Sequence, residues 1–260
     1  MAPWKGKWAL VTGASAGIGW HIAEQLAAGG ANLVLTARRT ERMEELAAEV
    51  GRAHHVKVEI FAADLADPHA PEEIFHFTQQ KRLPIEVLVN NAGFGAYGEF
   101  YKQDLSRLLE MVQVNVTAVV HLTRLFVPPM VERGSGYVLI VSSTAAFQPV
   151  PYISTYTATK GFELLFAESV SEELRRRGVR MSVLCPGSTV TEFHQAAGQP
   201  GYTKRRQESA DKVARVGLKA LAEGKPRVIS GGLNRLNMEL QRALPRRLVT
   251  RVTARIFGPR

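Results

Sequence analysis

Short apolar runs alternate with amphipathic stretches along most of the chain. The runs are rich in β-branched and aliphatic side chains, are bounded by turn residues, and predict seven strands. They lie at residues 8–11, 32–36, 57–62, 87–90, 136–142, 180–185 and 227–230. The stretches between them carry helical patterns and predict six crossover helices. These lie at residues 17–28, 41–50, 71–80, 105–130, 155–177 and 209–223.

This alternation predicts an α/β protein with a parallel sheet, because parallel strands need crossover helices, which cover both sheet faces. Right-handed crossovers predict a Rossmann-like, doubly wound sheet of about seven strands in three α/β/α layers, with ligands beyond the carboxyl ends of the strands. We see no internal repeat or low-complexity linker, so we expect residues 1–260 to form a single domain. Residues 189–209 lack clear periodicity, and we interpret them as a lid.

Composition is typical of a soluble globular protein, at 45% hydrophobic and 22% charged residues. No apolar run approaches ~18 residues, so we expect no membrane-spanning helix. The first predicted strand begins by residue 8, so we expect no signal peptide. The lone cysteine, Cys185, lies in an apolar run and is expected to be buried. We expect a cytoplasmic protein, and the histidine and acidic spacings predict no metal site.

Positive charge is concentrated at the C-terminus. Residues 225–260 hold nine Lys/Arg and one acid, Glu239, so this segment carries +8 of the net +9. We expect a helical tail at about 233–260, and within it residues 246–257 predict an amphipathic helix in which Arg247, Arg251 and Arg255 form a stripe. Such a helix could dock on the body with a solvated basic face, contact a membrane surface, or contact another subunit. No stacking platform accompanies the charge, so we do not expect nucleic-acid binding.

A glycine turn follows the first predicted strand and opens the first helix. Gly13 permits the tight turn, while Gly17 and Gly19 let the backbone and helix approach a phosphate closely. Helix N-terminal amides then face the anion. The pattern predicts a dinucleotide site. The expected contacts in this turn are Gly13, Ser15, Ala16, Gly17, Ile18 and Gly19.

The second strand ends in two arginines, Arg38 and Arg39, with no carboxylate at that point. A carboxylate there would bind an adenosine ribose diol, whereas guanidinium groups pair with a 2′-phosphate. We therefore favour NADP(H) over NAD(H), with Arg38 as the main contact. The alternative is that both arginines are solvated charges before a helix. Asp64 and Leu65 after the third strand are further candidate contacts, although Asp64 would serve equally as a turn or cap residue.

After the fourth strand, the small residues of Asn91-Ala92-Gly93 would let a flat ring and a ribose lie against the backbone. Asn90, just before them, is at least as well explained as a residue that ties strand ends together. We therefore predict cofactor contacts at Asn91, Ala92 and Gly93.

A tyrosine and a lysine four residues apart, Tyr156 and Lys160, fall on one helical face. A tyrosine ionises near ~10 and is a poor acid or base at neutral pH. An ammonium group beside it stabilises the phenolate and lowers its pKa, as general acid–base chemistry requires. Together with a dinucleotide site, this pair predicts hydride transfer to or from a carbonyl.

Several motifs stand in one order along the chain: the glycine turn, an Asn-Asn-Ala-Gly run, a single Asn and Ser, the Tyr-Lys pair and a Pro-Gly step. The residues concerned are Thr12, Gly13, Gly17, Gly19, Asn90, Asn91, Ala92, Gly93, Asn115, Ser143, Tyr156, Lys160, Pro186 and Gly187. In this order and spacing, residues 6–230 resemble the short-chain dehydrogenases/reductases, in the branch with one catalytic domain.

The resemblance implies specific roles. Tyr156 would be the general acid in reduction and the general base in oxidation. Lys160 would lower the pKa of Tyr156 and hold the nicotinamide ribose. Ser143 would hydrogen-bond the substrate oxygen, with Ser142 a structural neighbour, and Asn115 would hold a water joined to Lys160 in a proton relay.

The resemblance also implies that Pro186, Gly187, Thr189 and Thr191 contact the nicotinamide half of the cofactor. Thr189 departs from the family pattern, in which an aliphatic residue is common at this position. Thr191 matches a phosphate contact.

Aromatic and apolar residues in the strand-end loops predict a hydrophobic substrate pocket. The expected lining is Phe94, Tyr97, Ser143, Phe147, Val150 and Phe193. We predict an NADP(H)-dependent oxidoreductase that interconverts a small hydrophobic carbonyl compound and an alcohol, assembled as a homo-oligomer (dimer or tetramer). The alternatives are a catalytically idle NADP(H)-binding sensor or scaffold and a peripheral-membrane reductase of lipid-like substrates.

Overall fold

The computed structural model of the chain describes residues 2–198 and 207–258. In the described residues, seven parallel strands form one sheet, and two short segments pair separately. The strands are β1 (Trp8–Thr12), β2 (Asn32–Ala37), β3 (Val58–Ala62), β4 (Ile85–Asn90), β5 (Gly136–Val141), β6 (Val179–Cys185), β7 (Thr189–Val190), β8 (Glu208–Ser209) and β9 (Arg227–Ile229). The large sheet runs β3-β2-β1-β4-β5-β6-β9, and β7 pairs with β8.

Helices cover both faces of the large sheet. They are α1 (Gly17–Ala28), α2 (Thr40–His54), α3 (Ala70–Gln80), α4 (Leu105–Val112), α5 (Ala118–Glu132), α6 (Ser154–Leu174), α7 (Phe193–Ala196), α8 (Ala210–Glu223), α9 (Gly232–Leu240) and α10 (Arg246–Phe257). Helices α1, α2 and α8 pack on one face. Helices α3, α5 and α6 pack on the other. The predicted Rossmann-like three-layer fold is confirmed.

Alternate residues of the central strands enter two separate cores, because side chains of a strand point to opposite faces. In β1, Leu10 enters the core beneath α5 and α6, while Ala9 and Val11 enter the core beneath α1 and α8. All three are completely buried. Burial on both faces explains why these strands read as continuous apolar runs.

The helix predicted at residues 105–130 contains an irregular turn. Helices α4 and α5 are joined without a break by a π-helical turn at Gln113–Thr117. Single π turns inside α-helices are frequent at functional sites. This turn places the side chain of Asn115 in the interior, completely buried.

The same segment bears on the expectation that the chain has no membrane-spanning helix. By length and composition, Leu105–Glu132 qualifies as a span, with a mean hydropathy of 1.3 over its best window. However, 44% of that window is buried within the protein. Leu122, Phe126 and Met130 pack against the sheet, so in this fold the segment is a core helix.

The predicted lid is tied down at both ends. Thr189 pairs with Glu208 and Val190 pairs with Ser209, which makes a short parallel ladder. The part of the predicted lid at residues 199–206 lies outside the described residues. The tail contains two helices, α9 and α10, and α10 spans Arg246–Phe257, the stretch for which the amphipathic helix was predicted.

Candidate active site

A cavity of about 530 Å³ opens at the carboxyl ends of the central strands, where the fold predicts a ligand. Most of the predicted site residues line it. They are Gly13, Ser15, Ala16, Ile18, Arg38, Arg39, Asp64, Leu65, Asn91, Ala92, Gly93, Phe94, Ser143, Val150, Tyr156, Lys160, Pro186, Gly187, Thr189, Thr191 and Phe193. Five predicted residues do not line it, namely Gly17, Gly19, Tyr97, Asn115 and Phe147.

The glycine turn brings backbone to one end of the cavity. Gly13 and Gly17 have φ values of +65° and +58°, which favour glycine. A Cβ on Gly19 would lie 2.3 Å from Asn91 Nδ2 and 2.4 Å from the Gly13 oxygen. Ala16, the N-cap of α1, makes no side-chain hydrogen bond to the first-turn amides. Those amides are therefore available to hydrogen-bond an anion. Gly19 does not line the cavity, and its contribution is the close packing of the turn against Asn91 and Gly13.

Four hydrogen bonds join the glycine turn to the loop after β4. Thr12 Oγ1 accepts from the backbone amides of Asn91 (2.9 Å) and Ala92 (3.0 Å). The Asn91 side chain donates back to the Thr12 oxygen (2.9 Å) and the Gly13 oxygen (3.2 Å). The side chain of Asn91 thus holds the loop, while Ala92 and Gly93 present backbone to the cavity.

The neighbouring Asn90 is 3% exposed, and its amide donates to Thr123 Oγ1 at 3.0 Å. Asn90 does not line the cavity. This geometry favours the structural interpretation of Asn90.

Two ion pairs stand at the outer edge of the cavity. Arg38 Nη1 lies 3.7 Å from Asp64 Oδ2, with the Arg38 side chain 63% exposed. Arg39 Nη1 lies 2.8 Å from Glu192 Oε2, and Arg39 Nε donates to Ser15 Oγ at 3.4 Å. The Arg39 guanidinium therefore lies beside the glycine turn, and Arg38 lines the cavity beside Asp64. Sequence reasoning missed Glu192, because it lies 153 residues from its partner.

Tyr156 and Lys160 project from α6 into the middle of the cavity wall. Lys160 Nζ lies 5.8 Å from the centre of the Tyr156 ring and donates to the Val141 oxygen at 3.0 Å. It also pairs with Glu163 Oε1 at 2.8 Å, a partner that sequence reasoning missed. Burial raises the pKa of Glu163 to about 7, against the opposing effects of Lys160 and Ser142. The available signal was the i, i+3 spacing of Lys160 and Glu163 on a helix.

Asn115 lies behind the cavity wall and not on it. Its Oδ1 accepts from the Phe94 amide (3.2 Å), and its Nδ2 donates to the Phe94 oxygen (3.0 Å) and to Thr159 Oγ1 (3.0 Å). A Cβ on Gly93 would lie 3.1 Å from Asn115 Oδ1 and 3.3 Å from Lys160 Nζ. Asn115 and Lys160 therefore both lie directly beneath the backbone of Gly93.

Two serines after β5 have different positions. Ser143 faces the cavity, and its Oγ accepts from the Ala145 amide at 3.1 Å as the N-cap of a short helix at Thr144–Phe147. Ser142 is 4% exposed, and its hydroxyl donates to the Lys160 backbone oxygen at 2.8 Å. Ser143 thus lines the same cavity as Tyr156, while Ser142 fixes the turn of α6 that carries Lys160.

Thr189 and Thr191 follow β6 in the cavity wall. Thr189 Oγ1 donates to the Gly187 oxygen at 3.1 Å and so is engaged within its own loop. A Cβ on Gly17 would touch Thr191 Cγ2 at 2.9 Å, which places Thr191 over the glycine turn. This position fits the phosphate contact expected of Thr191.

The opposite end of the cavity is apolar and combines distant segments. The rings of Tyr156 and Phe193 lie 5.2 Å apart. Several residues that sequence reasoning missed also line this end, because they come from loop and tail positions without a motif. They include Gly95, Ala96, Ile153, Ala196, Ala197 and Phe257.

Two residues predicted for this pocket lie elsewhere. The Tyr97 hydroxyl donates to the Phe257 oxygen at 2.7 Å, which directs the ring toward α10. Phe147 packs against the core, and the Arg227 guanidinium lies 5.6 Å from its ring centre. Tyr97 thus helps hold helix α10 against the rest of the protein, and Phe147 belongs to the hydrophobic packing around the core.

Comparison with known proteins gives a consistent result. Residues 7–200 match the short chain dehydrogenase family model. The chain is 32% identical over 232 residues to a very-long-chain 3-oxoacyl-CoA reductase from Bos taurus, covering 87% of this chain and 73% of that one. A short-chain dehydrogenase from Sphingobium yanoikuyae in complex with NADPH has a similar structure, with a TM-score of 0.82, 28% identity, and coverage of 92% of this chain and 96% of that one. A 7β-hydroxysteroid dehydrogenase structure matches with a TM-score of 0.88 at 25% identity, covering 96% of this chain and 98% of that one.

Proposed function

Because the chain belongs to the short-chain dehydrogenase family of oxidoreductases, we propose that it interconverts a hydrophobic carbonyl compound and an alcohol with NADP(H). The observation that carries the proposal is one cavity that contains the glycine turn, Ser143, Tyr156 and Lys160 together. A dinucleotide cofactor supplies or accepts the hydride. The chain itself must bind and orient both partners and move one proton.

The cofactor end suits a phosphorylated dinucleotide. The amides at the start of α1 have no side-chain cap, and positive φ values at Gly13 and Gly17 keep the turn tight. Arg38 and Arg39 follow the end of β2 and line the cavity, and no carboxylate ends β2 itself, which supports a site for a ribose 2′-phosphate. The residues therefore fit NADP(H), and Arg38 and Arg39 would hold the additional phosphate.

Proton transfer is assigned to Tyr156. In reduction its hydroxyl donates to the carbonyl oxygen, while Ser143 hydrogen-bonds the same oxygen. Lowering a tyrosine pKa by two to three units requires ~2.7–4 kcal/mol. A positive charge about 6 Å away, at an effective dielectric constant of about 20, supplies about 2.8 kcal/mol. Lys160 Nζ lies 5.8 Å from the centre of the Tyr156 ring, so its positive charge, less the part that an ionised Glu163 offsets, would contribute to this lowering.

The experiment that tests this function is a kinetic screen of ketones, aldehydes and alcohols with NADPH, NADH and their oxidised forms. It should include long-chain 3-oxoacyl thioesters, because the relative from Bos taurus is named for them. We expect Tyr156→Phe to abolish turnover, by a factor of about 10³ or more, and to leave NADPH affinity nearly unchanged. Substantial residual turnover would remove Tyr156 from the acid–base role. Tight NADPH binding without turnover of any substrate would favour the idle sensor.

Cofactor choice is tested at Arg38. Arg38→Asp removes a phosphate partner and adds a like charge, so we expect NADPH affinity to fall about 30- to 100-fold while NADH affinity changes little. The matched control is Arg52→Asp, which makes the same charge change on an exposed part of α2. The Arg52 side chain donates to the Ala48 backbone oxygen of its own helix. An unchanged ratio of the two affinities in Arg38→Asp would contradict NADP(H) selection by this residue.

A second candidate function, reduction of lipid-like substrates at a membrane surface, has one specific observation in its favour. Helix α10 is docked beside the apolar end of the cavity, through the bond from Tyr97 to Phe257 and a 2.9 Å bond from Thr253 Oγ1 to the Pro149 oxygen. Helices α9 and α10 and the segment between them expose apolar residues, and α10 also exposes arginines. These apolar residues are Leu233, Leu236, Leu240, Leu244, Leu248, Val252 and Ile256. Arginine-rich amphipathic helices of this kind lie in membrane interfaces.

Vesicle co-sedimentation separates this candidate from the first. We expect the wild type to sediment with anionic vesicles, and Leu248→Gln with Val252→Gln to lose most of that binding while retaining turnover of soluble substrates. Phe100→Gln is the control, because Phe100 is 65% exposed and lies outside the cavity wall, the tail and the apolar face of α4 and α6. Equal sedimentation of all these proteins would contradict the membrane role of the tail.

We also propose that the chain forms a homo-oligomer. Helices α4 and α6 expose Leu105, Leu109 and Leu165, each at least 60% exposed, which is an apolar face that a second copy would cover. Sedimentation equilibrium of the wild type checks this, and a monomer at all concentrations would contradict it.

A further inference from the structure

Helix α6 carries a third polar residue on the face that holds Tyr156 and Lys160. Glu163 follows Tyr156 by seven residues and Lys160 by three, so the three side chains lie in one row. Lys160 Nζ and Glu163 Oε1 are 2.8 Å apart, and the two side chains are 5% and 1% exposed. The ammonium group proposed to act on Tyr156 is therefore already paired with a buried carboxyl group.

This carboxyl group is poorly satisfied for a buried acid. Among the described residues, Glu163 Oε2 has no hydrogen-bond partner. The nearby Ser142 hydroxyl opposes the rise of the Glu163 pKa, but it donates to the Lys160 backbone oxygen at 2.8 Å. Burial raises the pKa of Glu163 to about 7, so its charge changes within the working range of an enzyme. A buried ion pair is weak evidence of a purely stabilising role, because apolar residues often serve as well at such sites.

Two other titratable groups near the Lys160–Glu163 pair lie on neighbouring strands. On β6, burial raises the pKa of the Cys185 thiol to about 12, which keeps it neutral. On β9, Arg227 pairs with Glu168 of α6 at 3.2 Å. Among these described neighbours, Glu163 is the group beside Lys160 whose ionisation falls near pH 7.

We propose that Glu163 is a positioning residue that sets how much of the Lys160 charge acts on Tyr156. When ionised, it holds the ammonium group and offsets its charge. When protonated, its carbonyl oxygen still accepts from Lys160, and the full positive charge acts on the phenol. The inference rests on the proposed acid–base role of Tyr156.

The size of the effect follows from the geometry of the helix. Seven residues of α-helix span about 10 Å along the axis. Removing a negative charge at about 10 Å, with an effective dielectric constant of about 20, lowers the pKa of a phenol by about one unit. Glu163→Gln keeps the size and an acceptor oxygen and removes the charge, so it should lower the pKa of Tyr156 by about that amount.

The test is an ultraviolet titration of tyrosinate in the full-length protein. Wild type and Glu163→Gln are each titrated with and without Tyr156→Phe, and the difference within each pair isolates Tyr156. We expect its midpoint to fall by about one pH unit in Glu163→Gln. Glu172→Gln makes the same change on the same helix at a 71% exposed side chain and should leave the midpoint unchanged.

An unshifted midpoint in folded Glu163→Gln overturns the proposal. If that variant does not fold, Glu163→Met removes the same charge at similar volume and must give the same shift. A role confined to packing would not move the titration. The measurement needs no substrate, so it is separable from the proposed function, which fails instead if Tyr156→Phe retains turnover.

Discussion

The two ends of the cavity differ in what lines them, which is main chain at one end and side chains at the other. The nucleotide end consists of backbone, and hydrogen bonds between Thr12 and Asn91 hold the turn of Gly13 and Gly17 in place. The opposite end consists of side chains from distant segments, such as Phe94, Val150, Phe193 and Phe257. The first end therefore depends on a close approach of main chain, whereas the second depends on the shape of apolar side chains that could be exchanged for others. Substitutions should therefore separate cofactor binding from substrate recognition.

The largest effect is expected from Gly19→Ala at the nucleotide end. The new Cβ would lie 2.3 Å from Asn91 Nδ2 and 2.4 Å from the Gly13 oxygen, and backbone cannot yield as a flexible side chain can. We expect a loss of about 3 kcal/mol in the free energy of unfolding, together with loss of NADPH binding. Chemical denaturation and NADPH titration measure the two effects.

The matched control is Gly51→Ala in helix α2. A Cβ there meets only the Val56 oxygen at 3.7 Å, an ordinary contact. Replacing a glycine inside a helix with alanine should stabilise the protein by about 0.5–1 kcal/mol. If Gly19→Ala behaves like Gly51→Ala, the nucleotide end does not depend on close backbone packing.

The second-largest effect is expected at Glu163. Its pKa in the folded protein is about 7, above the ordinary value of 4.5, so the folded state keeps a proton that the unfolded chain releases. Stability from this group is therefore present at low pH and is lost as the pH rises from 4.5 to 7. We expect a fall of roughly 2–3 kcal/mol in the free energy of unfolding across this window.

Denaturation at pH 5 and pH 7.5 measures this fall, and Glu163→Gln should not show it. Glu172→Gln, with its exposed side chain, should behave like the wild type. Parallel pH profiles for wild type and Glu163→Gln would show that the carboxyl group titrates alike in the folded and unfolded chains.

The nucleotide end was accessible to sequence reasoning because its parts are local. The glycine turn, the small residues after β4 and the Tyr156–Lys160 spacing each lie within a few residues, and the order of strands then brings them to one edge. The sheet was predictable for the same reason, since periodicity is a local property. The prediction of the family is confirmed over residues 7–200.

The rest depended on contacts between distant residues. The pairing of Arg39 with Glu192 and the docking of Phe257 near Tyr97 join segments 153 and 160 residues apart. Neither partner carries a motif, so periodicity and spacing could not find them. Glu163 is a different case, because its spacing from Lys160 was visible but its burial was not. Burial gives that carboxyl group its raised pKa, and it follows only from the packing of α6 against the sheet.

The smallest effect, and the sharpest test of the comparison, is expected from Phe193→Ala at the apolar end. The Phe193 ring lies 5.2 Å from the Tyr156 ring. Losing one such apolar contact should lower kcat/KM for a hydrophobic substrate about 10- to 30-fold. NADPH affinity should stay within about twofold, because the nucleotide end is held by backbone and does not use this ring. Phe100→Ala is the control, since Phe100 is 65% exposed and lies outside the cavity wall. An equal loss of NADPH affinity in Phe193→Ala would show that one set of contacts supports both ends, and the distinction between them would fail.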